Sequence, residues 1–159
     1  MFVPAPHKPG PGNFWPNMQN RQIDHFLHQT QIAGHISGRN VPKRLASALM
    51  MLGVCMLAGF GIEALTTTAV LVLIEIAAYP LNQRASRFDE RISLPIAVAV
   101  FGINWAGITP FLAYAVILSN SDPLPFVLAG YLWVFGIYLH VSNTFGLLPL
   151  YNWSQMGVA

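Results

Sequence analysis

Apolar positions in this chain run in long blocks separated by short polar ones, and the block lengths set the elements. Residues 45–81 form a 37-residue apolar stretch interrupted only by Glu63 and Glu75. One helix of that length would reach about 55 Å, against a hydrocarbon core of about 30 Å. The block must therefore fold back, and the stretch Gly59, Phe60, Gly61, Ile62, Glu63 is the place to turn. This predicts spans at 45–60 and 64–81. The polar run NQRASRFDER at 82–91 is a short loop. Residues 93–119 make a third span, long enough to tilt, with a kink expected from Gly107 and Pro110. Dividing it into 93–107 and 108–119 would leave each piece under about 23 Å, too short to cross. Asn120, Ser121, Asp122 and Pro123 form a turn, and 124–147 is a fourth span.

Ahead of these blocks the pattern changes. Residues 1–16 carry five prolines and two glycines, which remove backbone donors and disfavour helix, so an extended tail is expected. Its aromatics, Phe2, Phe14 and Trp15, gain little in a free tail and are candidate partner contacts. Residues 17–35 read as an amphipathic helix outside the bilayer. Ile23, Phe26 and Leu27 lie on one side, and Arg21, Asp24, His25, His28 and His35 within about a third of the circumference on the other. Gly34, Gly38 and Asn40 then loosen the chain before Pro42, Lys43 and Arg44 lead into the first span. Three regions result: the tail and amphipathic helix at 1–44, the spans within 45–147, and a tail at 148–159 whose Tyr151 and Trp153 suit a membrane–water interface.

Charge adds orientation. Only 9% of residues are charged, where a soluble domain carries about a quarter. From Ile92 to the end the only formal charge is Asp122, and all eight Lys and Arg residues come earlier. With four spans and the N-terminus inside, all eight fall on inside segments and none on the outside turns, a positive-inside arrangement. The fold class expected is an all-α membrane protein: a four-transmembrane-helix bundle with an N-terminal amphipathic helix and an extended Pro/Gly-rich tail. Both termini are expected on the cytoplasmic side of a bacterial inner (cytoplasmic or intracytoplasmic) membrane. The basic residues flank apolar blocks rather than forming a patch, so nucleic acid is not an expected partner. Cys55 is the single cysteine, which excludes an intrachain disulfide and reads as a small buried apolar residue.

Candidate chemistry is sparse. Glu75 lies several residues inside the second span, where an ionised carboxylate costs about 3 kcal/mol or more and must be neutralised, paired or turned toward protein. His140 falls at similar depth in the fourth span. A Glu75–His140 hydrogen bond would satisfy both groups, and the same pair would suit a proton relay or a pocket for a head group or quinone. Asn104, in the middle of the third span, is expected to bond a neighbouring helix. Haem ligation by two histidines would need a second span histidine, and there is none. Asp24, His25, His28 and His35 have spacings that can share a metal, but they also form the polar face that such a helix needs, and no metal site is assigned. No catalytic motif is present, and the chain is not expected to be an enzyme.

The tight apolar hairpin, the Arg-containing loop NQRASRF, the Gly102-Ile103-Asn104-Trp105 segment and a last span closing on Pro149 together resemble the multi-helix membrane input region of bacterial sensor histidine kinases. That resemblance covers about residues 45–151. It implies an input domain that binds a small ligand and feeds a dimerisation helix with a phosphoacceptor histidine and an ATP-binding domain. These 159 residues hold neither of those. If they are the whole protein, it is no kinase but a relative kept for its membrane surface; otherwise it is a fragment.

The leading expectation is a non-catalytic accessory subunit that packs against a larger membrane complex of photosynthetic or respiratory type. Its partners would be membrane lipids and other integral membrane subunits. It needs no cofactor, although contact with lipid, quinone or pigment is compatible with the polar groups in the spans. A sensory input domain with its ligand near Glu75 and His140 is the alternative, and a small transporter a weaker one.

Overall fold

The computed structural model describes residues 14–145 and Leu148, with side chains from Asn20 onward. Five α-helical segments follow in order: α1 (Phe14–Leu57), α2 (Gly61–Ala85), α3 (Leu94–Ala106), α4 (Thr109–Ser119) and α5 (Leu124–Phe145). No strand occurs among the described residues. Gly107 keeps helical angles (φ −62°, ψ −18°), so α3 and α4 form one rod interrupted locally where Pro110 lacks an N–H. Three rods are long and apolar enough to cross a membrane: Gly61–Ala85, Leu94–Ser119 and Leu124–Phe145.

α1 departs from the expectation. The amphipathic helix and the first span are not separate elements: residues 14–57 form one helix of 44 residues, about 66 Å long, while residues 1–13 of the expected tail lie outside the described residues. Phe14, Trp15 and Pro16 open its first turn, where a proline forfeits no helical hydrogen bond. Helix also runs through Gly34, Gly38, Asn40 and Pro42. Tertiary packing overrides these local signals. Leu27, Thr30, Gly34, Ser37, Ala48, Met51 and Cys55 are all buried, at intervals that keep a period of 3.5. α2 answers with Ala64, Leu71, Glu75, Ala78, Asn82 and Ala85 in the same rhythm. This is the seam of a coiled coil, with small residues where the backbones approach. At Gly34 the approach is closest: a Cβ there would stand 2.8 Å from the Cβ of Ala85. Gly34 is therefore a packing residue, not a breaker.

The hairpin turns where expected. Gly59 takes φ +91°, and the N–H groups of Gly59 and Phe60 donate to the carbonyls of Met56 (3.1 Å) and Cys55 (2.9 Å). This is a Schellman closure, in which glycine is favoured because its left-handed angle strains other residues. The two helices then run antiparallel. α1 outlasts α2 at the far end and holds the loop at 86–93. The Gln31 amide donates to the carbonyls of Glu90 (2.9 Å) and Arg87 (3.3 Å), and Asp24 pairs with Arg91. His35 packs against the Phe88 ring.

Three apolar clusters lie along the bundle. Near the turn end, Ala48, Met51, Cys55, Ala64 and Leu71 meet Phe111, Tyr114 and Leu118 of α4. Tyr114 is fully buried, and its hydroxyl shares a 2.6 Å hydrogen bond with Thr68. Toward the loop end, Ala33 packs with Val141, Phe145 and Leu148. Leu27, Ile92 and Ala97 close the bottom. α5 is the least covered span, 11% buried in its most apolar stretch against 22% for the other two. It docks on α4 through Gly130, where a Cβ would lie 2.9 Å from the Ala115 carbonyl oxygen.

Candidate functional site: a polar cavity inside an apolar bundle

Between the turn-end and loop-end clusters lies a cavity of about 380 Å³, walled by every helix of the bundle. Its polar wall comes mainly from the hairpin, with Ser37, Asn40, Lys43, Arg44 and Ser47 of α1 and Glu75 of α2. Its apolar wall comes from Ile74, Ile103, Ile108, Phe111, Trp133 and Ile137. Asn104 and His140 complete it from α3 and α5. Thus Glu75, His140 and Asn104 do converge on one site. Among the tail residues, Phe2 lies outside the described residues, and Phe14 and Trp15 begin α1. Tyr151 and Trp153 also lie outside the described residues.

The pairing within the site differs from the expectation. Glu75 does not bond His140. Its carboxylate accepts two hydrogen bonds from Arg44, Nε to Oε1 at 2.5 Å and Nη2 to Oε2 at 2.8 Å. The side chains are 7% and 19% exposed, so the pair is removed from bulk solvent. A guanidinium fork matched to both carboxylate oxygens is the strongest geometry these groups have. The reason is hairpin register. Arg44 lies 15 residues before Gly59 and Glu75 lies 16 after it, so an antiparallel fold about that glycine sets them face to face. The signal was present in the sequence: reflecting Glu75 through Gly59 lands on position 43, beside Arg44.

His140 makes no hydrogen bond among the described residues and presents its ring to the cavity as an unengaged donor and acceptor. The Asn104 amide donates to the Asn82 Oδ1 of α2 (3.1 Å) and to the Val100 carbonyl (2.9 Å). Asn82 is 1% exposed, and its own amide nitrogen has no partner. Trp133 donates its indole N–H to the Phe111 carbonyl (3.0 Å), which fixes the ring at the cavity edge. Neither Lys43 nor Trp133 stands out in the sequence from ordinary interfacial residues until the helices are assembled.

The Asp24 and histidine stripe is dispersed. Asp24 is paired with Arg91, His25 bonds Gln29 at 2.5 Å, and His35 meets Phe88. Among the described residues no three His, Cys, Asp or Glu side chains converge in a metal-binding arrangement.

No protein-family model matches the chain, and neither does any curated protein or solved structure.

Chemically, the site offers fixed positive charge, hydrogen-bond donors and an apolar wall around one partly open space. Among the described residues, no hydroxyl of the lining hydrogen-bonds a base. Such a space suits recognition of a ligand with a polar end and an apolar body.

Proposed function

We propose that this chain is a non-catalytic, four-crossing membrane module that binds a small amphipathic ligand within its bundle, as a sensory input domain would. The observation that carries the reading is the convergence of Arg44–Glu75, Lys43, Asn104 and His140 on one cavity beside Trp133 and Phe111. A structural ion pair needs only its two partners. The additional basic and amide groups, with space between them and the apolar wall, favour an occupant. The resemblance to kinase input regions points the same way, and to a bacterial inner membrane.

The fourth crossing follows from the hairpin. The apolar half of α1, residues 45–57, is about 20 Å long, short of the hydrocarbon core. Yet α1 lies antiparallel along α2 from the Gly59 turn to Ala85, so it must traverse whatever slab α2 traverses. With four crossings, the seven basic residues from Arg21 to Arg91, and both described ends of the chain, belong on the loop side. In a Cys55→Ser background, a membrane-impermeant maleimide applied to intact cells should label Asp122→Cys and spare Arg87→Cys. Equal labelling of the two would refute the topology.

The ligand-binding reading is tested by native mass spectrometry of protein purified in mild detergent. Gly136 borders the cavity, and a Cβ there meets nothing within 4 Å, so Gly136→Phe fills the space without a backbone clash. The wild type should retain a small-molecule adduct that Gly136→Phe loses. Equal adducts on both, or none on the wild type, would sink the reading.

A second reading, an accessory subunit, draws on α5. Leu124, Leu128, Tyr131, Leu132, Phe135 and Leu139 leave an apolar stripe exposed along that helix. Another membrane subunit seated there would co-purify in stoichiometric amount, whereas a clean monomer or homodimer leaves the stripe to lipid.

A further inference from the structure

We infer that the cavity takes a single-chain anionic amphiphile, its acidic head held by Lys43, Arg44 and His140 and its chain laid against Trp133, Phe111 and Ile137. The inference rests on the ligand-binding reading and gives its ligand a chemical class.

Charge is the first ground. Two cationic side chains, Lys43 and Arg44, border the cavity against one carboxylate, Glu75, and that carboxylate is already engaged by Arg44. All six Asp and Glu residues of the chain lie among the described ones, and none pairs with Lys43. The Arg44 fork uses two of its five N–H groups, which leaves three for a further acceptor. A bound anion would compensate the ammonium and engage those donors at once. A neutral head, such as an alcohol or a quinone, would leave the charge unmatched.

Shape is the second ground. The volume, about 380 Å³, sits at the low end of ligand pockets. At about 30 Å³ per water it holds on the order of a dozen water-sized groups. That is room for a head and part of one acyl chain, with the rest passing out between helices. The polar wall is mainly α1 and the apolar wall mainly α3 to α5, so a ligand bridging them would tie the α1–α2 hairpin to α5.

A carboxylate head would come from a free fatty acid, a phosphate head from a lysophospholipid, and both share the anion-plus-chain chemistry. The test uses the full chain in phosphatidylcholine nanodiscs, with Trp133 as the only tryptophan after Trp15, Trp105 and Trp153 are replaced by Phe. Dibromostearate should quench Trp133 saturably. Oleate and oleoyl lysophosphatidate should compete, and oleyl alcohol should compete at least about tenfold more weakly. Lys43→Gln should lower oleate affinity about tenfold, the scale of one hydrogen bond to a charged group, and leave oleyl alcohol unchanged. Arg39→Gln, a cation outside the cavity lining, should change neither. Whether oleate or lysophosphatidate competes better names the source of the head, and either result upholds the class. If oleyl alcohol matches oleate, if Lys43→Gln has no effect, or if inorganic phosphate alone competes equally, the inference falls while the binding cavity stands. If no amphiphile quenches saturably, or if Gly136→Phe leaves the quenching unchanged, the ligand-binding reading itself falls.

Discussion

Removing both partners of the Arg44–Glu75 pair should destabilise the bundle far less than the sum of the two single removals. At an effective dielectric near 20, two unit charges about 4 Å apart attract by about 4 kcal/mol. Burying both ions costs several kcal/mol each, so the pair as a whole is close to neutral for stability. The asymmetry appears when it is broken. Arg44→Met strands a carboxylate that is 7% exposed, and a loss of about 3 kcal/mol is expected. Glu75→Gln strands a guanidinium that is 19% exposed and can extend toward the interface beside Lys43, so about 2 kcal/mol is expected. The double variant Arg44→Met with Glu75→Gln leaves no orphan charge and should lose about 2 kcal/mol or less, giving a coupling energy of about 3 kcal/mol. The assay is reversible unfolding in mixed maltoside and dodecyl sulfate micelles, followed by circular dichroism. The exposed Asp24–Arg91 pair is an internal control, with a coupling below about 1 kcal/mol. Additivity of Arg44 and Glu75 within about 0.5 kcal/mol would refute the pairing and the hairpin register derived from it. By contrast, Glu75→Gln and His140→Phe should be additive within that margin, because those side chains share no hydrogen bond.

Further expectations follow from the close contacts. Gly34→Ala would normally gain about 1 kcal/mol of helix propensity, but the Cβ clash with Ala85 should turn this into a net loss of about 1–2 kcal/mol in the same unfolding assay. Gly130→Ala should behave alike, because its Cβ would meet the Ala115 carbonyl at 2.9 Å and Leu118 at 3.2 Å; a gain in stability at either position would show that the helices stand farther apart. Tyr114→Phe should cost about 0.6–1.7 kcal/mol, the range for an interhelical hydrogen bond in a membrane, and the loss should vanish in a Thr68→Val background.

Much of the architecture was legible because block length is a strong constraint. A 37-residue apolar run must fold back, and Gly59, the residue with the least steric cost at positive φ, marks where. Asn104 reaches a neighbouring helix because an amide in an apolar span has few other partners. The continuity of α1 was not legible. Gly34, Gly38 and Pro42 are local signals against helix, and their effect of a few kcal/mol is outweighed by a seam that stays in register with α2 and with the loop α1 holds.

The site divides in the same way. The sequence alone determined that the chain has apolar blocks long enough to cross a membrane, that all its Lys and Arg residues precede Ile92, and that Glu75 needs a neutralising partner, because apolar length and the cost of a buried charge are properties of the chain itself. Only the tertiary structure decided that the partner is Arg44 and not His140, and that Lys43, His140 and Trp133 border one cavity. Those facts depend on which helix faces lie opposite one another. Helix pairing sets that through small-residue contacts such as Gly34 with Ala85 and Gly130 with Ala115, which are spread over distant parts of the chain.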